Sequence, residues 1–127
     1  MKILVLIARL LLGLVFVVFG LNGFHPFIPM PPPTGLAAQY FTVMFTSHYM
    51  VPVFALQLAG GLLLLVNRFV PLALCLLGPV LVNILIFHTL MAPEGLPLAV
   101  VVAVLWIVVF IGVRGAFRGI LTAPGKA

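Results

Sequence analysis

Four long apolar segments occupy most of the chain, and only short polar stretches separate them. They run over residues 3–21, 51–66, 69–87 and 96–113. An α-helix of roughly 20 apolar residues crosses a hydrocarbon core about 30 Å thick, because each residue advances the helix by about 1.5 Å. The pattern therefore predicts an all-α membrane protein with four transmembrane helices. Short connections between the later segments predict antiparallel neighbours, as in a left-handed four-helix bundle.

The first loop differs in character from the apolar segments. Residues 25–34 contain five prolines, and proline removes a backbone donor and disfavours helix in the residue before it. Residues 36–48 return to a 3.6-residue period, with Gln39, Thr42 and Thr46 on the face opposite the apolar side chains. This segment is too short and too polar to cross a membrane. We therefore expect a short amphipathic helix that lies in the interface or is partly re-entrant.

The composition indicates the same class of protein. Hydrophobic residues make up 65% of the chain and charged residues 6%, whereas soluble domains carry about 25% charged residues. We expect residues 1–127 to form a single integral membrane domain. The net charge of +5 does not indicate a nucleic-acid partner, because no basic stripe with interleaved aromatic residues accompanies it. The single cysteine, Cys75, lies within an apolar segment and indicates a small buried hydrophobe.

The charged residues separate into two groups along the chain. Loops that carry lysine or arginine alternate with loops that carry neither, and basic loops stay on the cytoplasmic side of a membrane. The pattern predicts a multi-pass plasma (inner) membrane protein with both termini in the cytoplasm. The three histidines and the only acid then lie at the outer side. The basic residues are Lys2, Arg9, Arg68, Arg114, Arg118 and Lys126.

Polar residues inside the apolar segments extend this outer group into the membrane. Gln57 lies about two turns from the outer end of the second segment, and Asn83 lies one to two turns from that of the third. An amide without a partner in hydrocarbon costs several kcal/mol. We therefore expect an outward-facing polar pocket, covered by the proline-rich loop and the 36–48 helix. Its candidate ligand-binding residues are Gln57, Asn83, His88, Glu94, His48 and His25.

The same residues have a simpler interpretation. His25 and His48 are at ease at headgroup level, and Gln57 and Asn83 can join helices through hydrogen bonds of about 0.6 kcal/mol each. The histidines lack the spacing of a metal site, and no nucleophile with an adjacent base can be recognised, so neither a metal nor a catalytic residue is assigned. Asn83 and His88 lie about 140° apart around a helix. A straight helix therefore cannot point both at one spot.

Several motifs resemble those of the DoxX family of small bacterial four-helix membrane proteins. They are Arg9 with Gly13 and Gly20, the 57–63 run, the 78–88 run and the proline-rich 30–36 loop. The resemblance covers the chain from about Arg9 to Arg114. It implies a membrane subunit linked to redox chemistry, since relatives include a subunit of a thiosulfate:quinone oxidoreductase. Relatives often carry glutamate where Gln57 stands here, and this departure weakens a proton-transfer role for the position.

Three functions follow as expectations. The first is a redox-linked, quinone-associated membrane subunit, with quinone as the possible cofactor and a redox protein as the partner. The second is an assembly or scaffold protein without chemistry of its own. The third is a small-molecule transporter, which is disfavoured because the inner half lacks polar residues to line a path. The bilayer is a partner in every case, and the glycines and exposed apolar surface predict a homo-oligomer.

Overall fold

The computed structural model describes residues 2–120, which are helical and contain no strand. Each predicted helix has a counterpart, and the proline-rich residues 25–34 lie outside all helices, as expected. The first helix continues three residues beyond its predicted end. The helices are α1 (Lys2–Phe24), α2 (Gly35–Thr46), α3 (Met50–Leu65), α4 (Val70–Leu90) and α5 (Leu96–Gly112), with short 3-10 turns at Pro93–Gly95 and Arg114–Phe117.

Three helical stretches are long and apolar enough to cross a membrane by themselves. They are α1, α4 and Pro93–Gly112. The last of these consists of the 3-10 turn Pro93–Gly95 followed by α5. Helices α2 and α3 meet the same criteria only as a pair, and the chain bends by 88° between them. His48 lies at the bend with φ of 61°, a left-handed conformation that stops a helix. Residues 2–120 therefore contain helices and no strands, with three or four candidate membrane spans, as expected of an all-α membrane protein.

Four of the helices form a closed ring of contacts. Helix α1 packs against α3 and α5, and α4 packs against the same two helices, whereas α2 makes few contacts with any of them. The turn from α3 to α4 contains two left-handed residues, Asn67 and Phe69. The two ends of the ring differ in the charged and polar residues that they carry. We call the end with Lys2, Arg68 and Arg114 the basic end, and the end with His25, His48 and His88 the histidine end.

Glycines bring α1 and α3 into close contact. A Cβ atom on Gly61 would lie 2.9 Å from both the Gly13 oxygen and the Val17 nitrogen. A Cβ atom on Gly20 would lie 3.2 Å from the Leu58 nitrogen. In lipid, the hydrophobic effect does not drive helices together. Helices there associate through close packing, which small residues allow. The core below is apolar and tightly filled, with Leu12, Phe16, Leu64, Leu74, Leu77 and Val109 fully buried.

Arg9 closes the basic end of α3. Its guanidinium donates hydrogen bonds to the carbonyl oxygens of Leu64 and Leu65 in the last turn of that helix. Carbonyls in a last turn have no partner within the helix, and a positive charge there also meets the negative end of the helix dipole. The side chain therefore joins α1 to α3 instead of only reaching back to the headgroups.

We expect Arg9→Met to lower the free energy of unfolding by about 1.5–3 kcal/mol, the usual range for a hydrogen bond to a charged group. Arg68→Met is the matched control, because Arg68 is exposed and surface changes shift stability by less than about 0.5 kcal/mol. Unfolding by titration with SDS in mixed micelles measures both. Equal stability of the two variants would contradict the role given to Arg9.

Helix α4 continues through Pro79 without a break. Proline leaves a carbonyl one turn earlier without its helical donor. Next to this gap, the Trp106 indole of α5 donates a hydrogen bond to the Leu74 oxygen at 3.2 Å. The ring also lies beside Gly78, where a Cβ would meet Trp106 at an ordinary 3.6 Å. A side chain of α5 thus binds α4 one residue from the Cys75 carbonyl, which Pro79 leaves without a helical donor.

Candidate functional site

Gln57 points towards the axis of the four-helix ring. It shares the buried face of α3 with Gly60, Gly61 and Leu64. Gly60 faces Leu77 of α4, and Gly61 faces Gly13 and Val17 of α1. Position 57 lies between these two directions on a helical wheel and one turn nearer the histidine end. Its side chain is 6% exposed and is the one buried polar residue found within 2–120.

The amide of Gln57 has no hydrogen-bond partner among the described residues. Within residues 2–120, every side-chain nitrogen or oxygen that is fully shielded inside the fold has a hydrogen-bond partner. Both polar atoms of Gln57 therefore keep a small accessible surface. An amide has two N–H donors and a carbonyl acceptor, and leaving them unmade in an apolar core costs about 1–3 kcal/mol. The group is thus able to bind a polar atom that is not part of the chain.

A continuous set of aromatic rings lies towards the histidine end from Gln57. Phe54, one turn away on α3, has its ring centroid 6.1 Å from Phe24 of α1 and 5.9 Å from Phe45 of α2. Phe87 of α4 lies 5.1 Å from Phe41 and 5.3 Å from Tyr40. These spacings are those of favourable ring pairs. We call the six residues the aromatic roof: Phe24, Tyr40, Phe41, Phe45, Phe54 and Phe87.

The aromatic roof attaches α2 to the other helices. Tyr40, Phe41 and Phe45 belong to the apolar face that the sequence predicts for this helix. Because α2 has few other contacts with the ring, these side chains hold it against α3 and α4. Helix α2 therefore lies against α3 and α4 at the histidine end. Leu36 and Val43 remain exposed on the same helix, at 62% and 65%, and are available to lipid.

Asn22 orders the beginning of the proline-rich segment that follows α1. Its side-chain oxygen accepts hydrogen bonds from the backbone N–H groups of Phe27 and Ile28, both at 2.9 Å. A side chain that binds backbone donors a few residues ahead stabilises a turn. The sequence signal was present, since asparagine favours this role, but only the fold shows which donors it meets.

Asn83 does not join Gln57. Its side chain is exposed, and its amide nitrogen donates to the Pro79 oxygen of its own helix at 2.9 Å. Bonding to the carbonyl four residues earlier satisfies a polar side chain without any other helix. Asn83 therefore binds within its own helix and is not part of the buried site around Gln57.

His88 lies at the end of α4 and holds the next turn. Its Nδ1 lies 3.0 Å from the Ala92 oxygen; because a carbonyl can only accept, Nδ1 carries the proton and Nε2 is left for another group. The ring packs against the backbone of Gly95. The register of Gly60 against Leu77 places His88 about 12 Å along the axis from Gln57, at 1.5 Å per residue. One small headgroup cannot contact both.

The other three candidate residues lie at the surface of the histidine end. His25 follows the last turn of α1, His48 forms the bend between α2 and α3, and Glu94 lies in the Pro93–Gly95 turn; all are exposed. No group of three or more potential metal ligands occurs within 2–120. The structure therefore divides the six candidates into one core residue, Gln57, one turn-forming residue, His88, and four exposed residues.

The contact between His88 and Gly95 predicts a coupled pair. A Cβ on Gly95 would lie 2.3 Å from His88 Cε1 and 2.4 Å from Nδ1, so Gly95→Ala must displace the ring. We expect a loss of about 1 kcal/mol in unfolding free energy that disappears when His88 is already alanine. A double-mutant cycle measures this coupling. An equal cost of Gly95→Ala in both backgrounds would show that the ring is not responsible.

Comparison with protein-family models, characterised proteins and solved structures gives no match for this chain. The resemblance to the DoxX family accordingly rests on the quoted motifs. In the structure, two of these motifs include the helix contacts at Gly13 and Gly61.

Proposed function

We propose that the protein is a DoxX-like, quinone-associated subunit of a membrane redox system, and that Gln57 binds the quinone ring. The observation that carries this proposal is the unpartnered, 6% exposed amide of Gln57 beside the aromatic roof. A quinone is planar, lipophilic and bears carbonyl oxygens. Its oxygen can accept a hydrogen bond from the Gln57 amide, while aromatic side chains suit its ring.

The proposed topology has four spans. Helix α3 crosses with α1, α4 and α5, because it completes their ring of contacts, and α2 lies in the interface because it turns 88° from α3. The basic end faces the cytoplasm, following the positive-inside rule. Gln57 then lies in the outer half of the bilayer, and a lipophilic ligand reaches it from the membrane.

The chain supports binding and not electron transfer by its own groups. It has one cysteine, Cys75, which is exposed on α4, so the prediction that it is buried was wrong. The quinone would therefore exchange electrons with a partner protein. Transport is less well supported, because the core between Gln57 and the basic end is filled by buried leucines and Val109 and offers no polar path.

The experiment is to measure quinone bound to protein purified in mild detergent. Organic extraction and mass spectrometry quantify retained quinone, and thermal unfolding measures the effect of an added short-chain quinone. We expect retained quinone and a melting temperature that rises with quinone concentration, since a ligand that binds the native state stabilises it. Absence of quinone in the extract together with an unchanged melting temperature would reject the proposal.

A second candidate function is a scaffold for other membrane proteins. It is favoured by α5, whose membrane segment is only 17% buried, against 28% for α1 and 33% for α4. Such a face can contact a partner helix or a second copy of the chain. Two results together would support the scaffold over the redox subunit. The protein would bind no quinone, and a stoichiometric complex with a partner would persist in the Gln57→Met variant.

A further inference from the structure

An open groove lies at the basic end between the first turns of α1 and the last turn of α5. Two adjoining cavities form it, with volumes of about 590 and 430 Å3. Ile111, Gly112 and Arg114 line both cavities, and Lys2 and Val5 complete the smaller one. The groove is on the opposite side of the core from Gln57, so it is independent of the proposed quinone site.

The positive charges of this groove have no acidic side chain to neutralise them. Glu94 is the only Asp or Glu in the sequence, and it lies at the histidine end. Arg114 donates one hydrogen bond to the Ile111 oxygen at 2.9 Å, and a guanidinium has five N–H donors. Lys2 is exposed at the start of α1. Within residues 2–120, Lys2 and Arg114 therefore have no acidic side chain beside them, and an added anion can serve as their counter-ion.

The walls of the groove are apolar and continue onto the outer surface of the helices. A Cβ on Gly112 would lie 2.6 Å from Val5, which shows how closely α1 and α5 approach there. Next to the groove, Ile3 on α1 is 73% exposed and Ile107 on α5 is 51% exposed. A site with cations at its mouth and an apolar flank matches a molecule that has an anionic head and hydrocarbon tails.

We propose that this groove binds an anionic phospholipid, with the phosphate between Lys2 and Arg114 and the acyl chains along α1 and α5. Arginine binds phosphate through paired hydrogen bonds, and lysine adds a point charge. Inorganic phosphate shares the charge but not the tails. It is therefore the probe that separates a lipid site from a simple anion site.

The test uses the full chain in neutral detergent, with native mass spectrometry as the readout. We expect phosphatidylglycerol to bind more tightly than phosphatidylcholine with the same acyl chains. The double variant Lys2→Gln, Arg114→Gln should bind phosphatidylglycerol about thirty-fold more weakly, since each cation near a lipid surface contributes about 1 kcal/mol. Equal affinity of the wild type for the two lipids would overturn the proposal.

A second pair of variants leaves every charge in place. Gly115 lines the larger cavity, and a Cβ there or on Gly119 would meet nothing within 4 Å. Gly115→Leu should fill the groove and weaken phosphatidylglycerol binding at least five-fold, whereas Gly119→Leu should leave it unchanged. Undiminished binding by Gly115→Leu would exclude the groove as the site. Stabilisation of the wild type by inorganic phosphate as large as that by the lipid would show an anion site without lipid selectivity.

Discussion

Gly61→Ala is expected to destabilise the protein by about 2 kcal/mol, although alanine is the better helix former. Alanine in place of glycine adds about 1 kcal/mol of helix stability. The new methyl group would, however, lie 2.9 Å from the Gly13 oxygen and 2.9 Å from the Val17 nitrogen. Both are backbone atoms that no side-chain rotation can move, so the helices must separate, and overpacking of this kind costs about 1–3 kcal/mol or more.

Gly115→Ala is the control for this change. It adds the same methyl group where nothing lies within 4 Å, so its effect should stay within about 0.5 kcal/mol. SDS titration, followed by helical circular dichroism, compares both variants with the wild type. A neutral or stabilised Gly61→Ala variant would mean that α1 and α3 are not in backbone contact at this level.

Gln57→Met is expected to act in opposite directions on stability and on ligand binding. Methionine has a similar shape and no polar atoms, so it removes an amide without a protein partner from a position that is 6% exposed. We expect the ligand-free protein to become more stable by about 1–3 kcal/mol, the cost of leaving such a group unsatisfied. The same change should abolish the rise in melting temperature caused by quinone.

Gln39→Met gives the matched comparison, because Gln39 is exposed on α2. We expect it to alter neither stability nor the response to quinone. Thermal unfolding with and without quinone resolves the four measurements. A destabilised Gln57→Met variant would show that the amide stabilises the ligand-free protein through packing or hydration. A persistent quinone response in that variant would move the binding site elsewhere.

The helices could be predicted from the sequence because each depends on a local feature. Apolar run lengths located α1, α3, α4 and α5, and five prolines kept residues 25–34 out of any helix. The two faces of α2 followed from its 3.6-residue period. The bend of 88° after α2 was indicated only by the shortness of the segment, since the left-handed conformation of His48 leaves no mark in the sequence.

The site was harder to predict. Helices α3 and α4 carry apolar residues on all of their faces, so the sequence period does not show which face points inwards. The depth of Gln57 followed from its place in the apolar segment, whereas its direction towards the axis is known only from the contacts of Gly60 and Gly61 in the fold. The partner of Asn83 could not be predicted, because an amide that binds its own helix at Pro79 looks the same in sequence as one that binds another helix. The distance between His88 and Gln57 depends on helix register, which no local pattern fixes.

Trp106 gives the chain a built-in optical reporter. It is the sole tryptophan, its indole donates to the Leu74 oxygen, and its ring stacks on Phe110 at 5.5 Å. Indole emission therefore comes from a single place, the seam between α4 and α5. A shift of its emission spectrum during unfolding records the separation of these two helices. A shift on addition of quinone would show that binding at Gln57 changes the surroundings of Trp106.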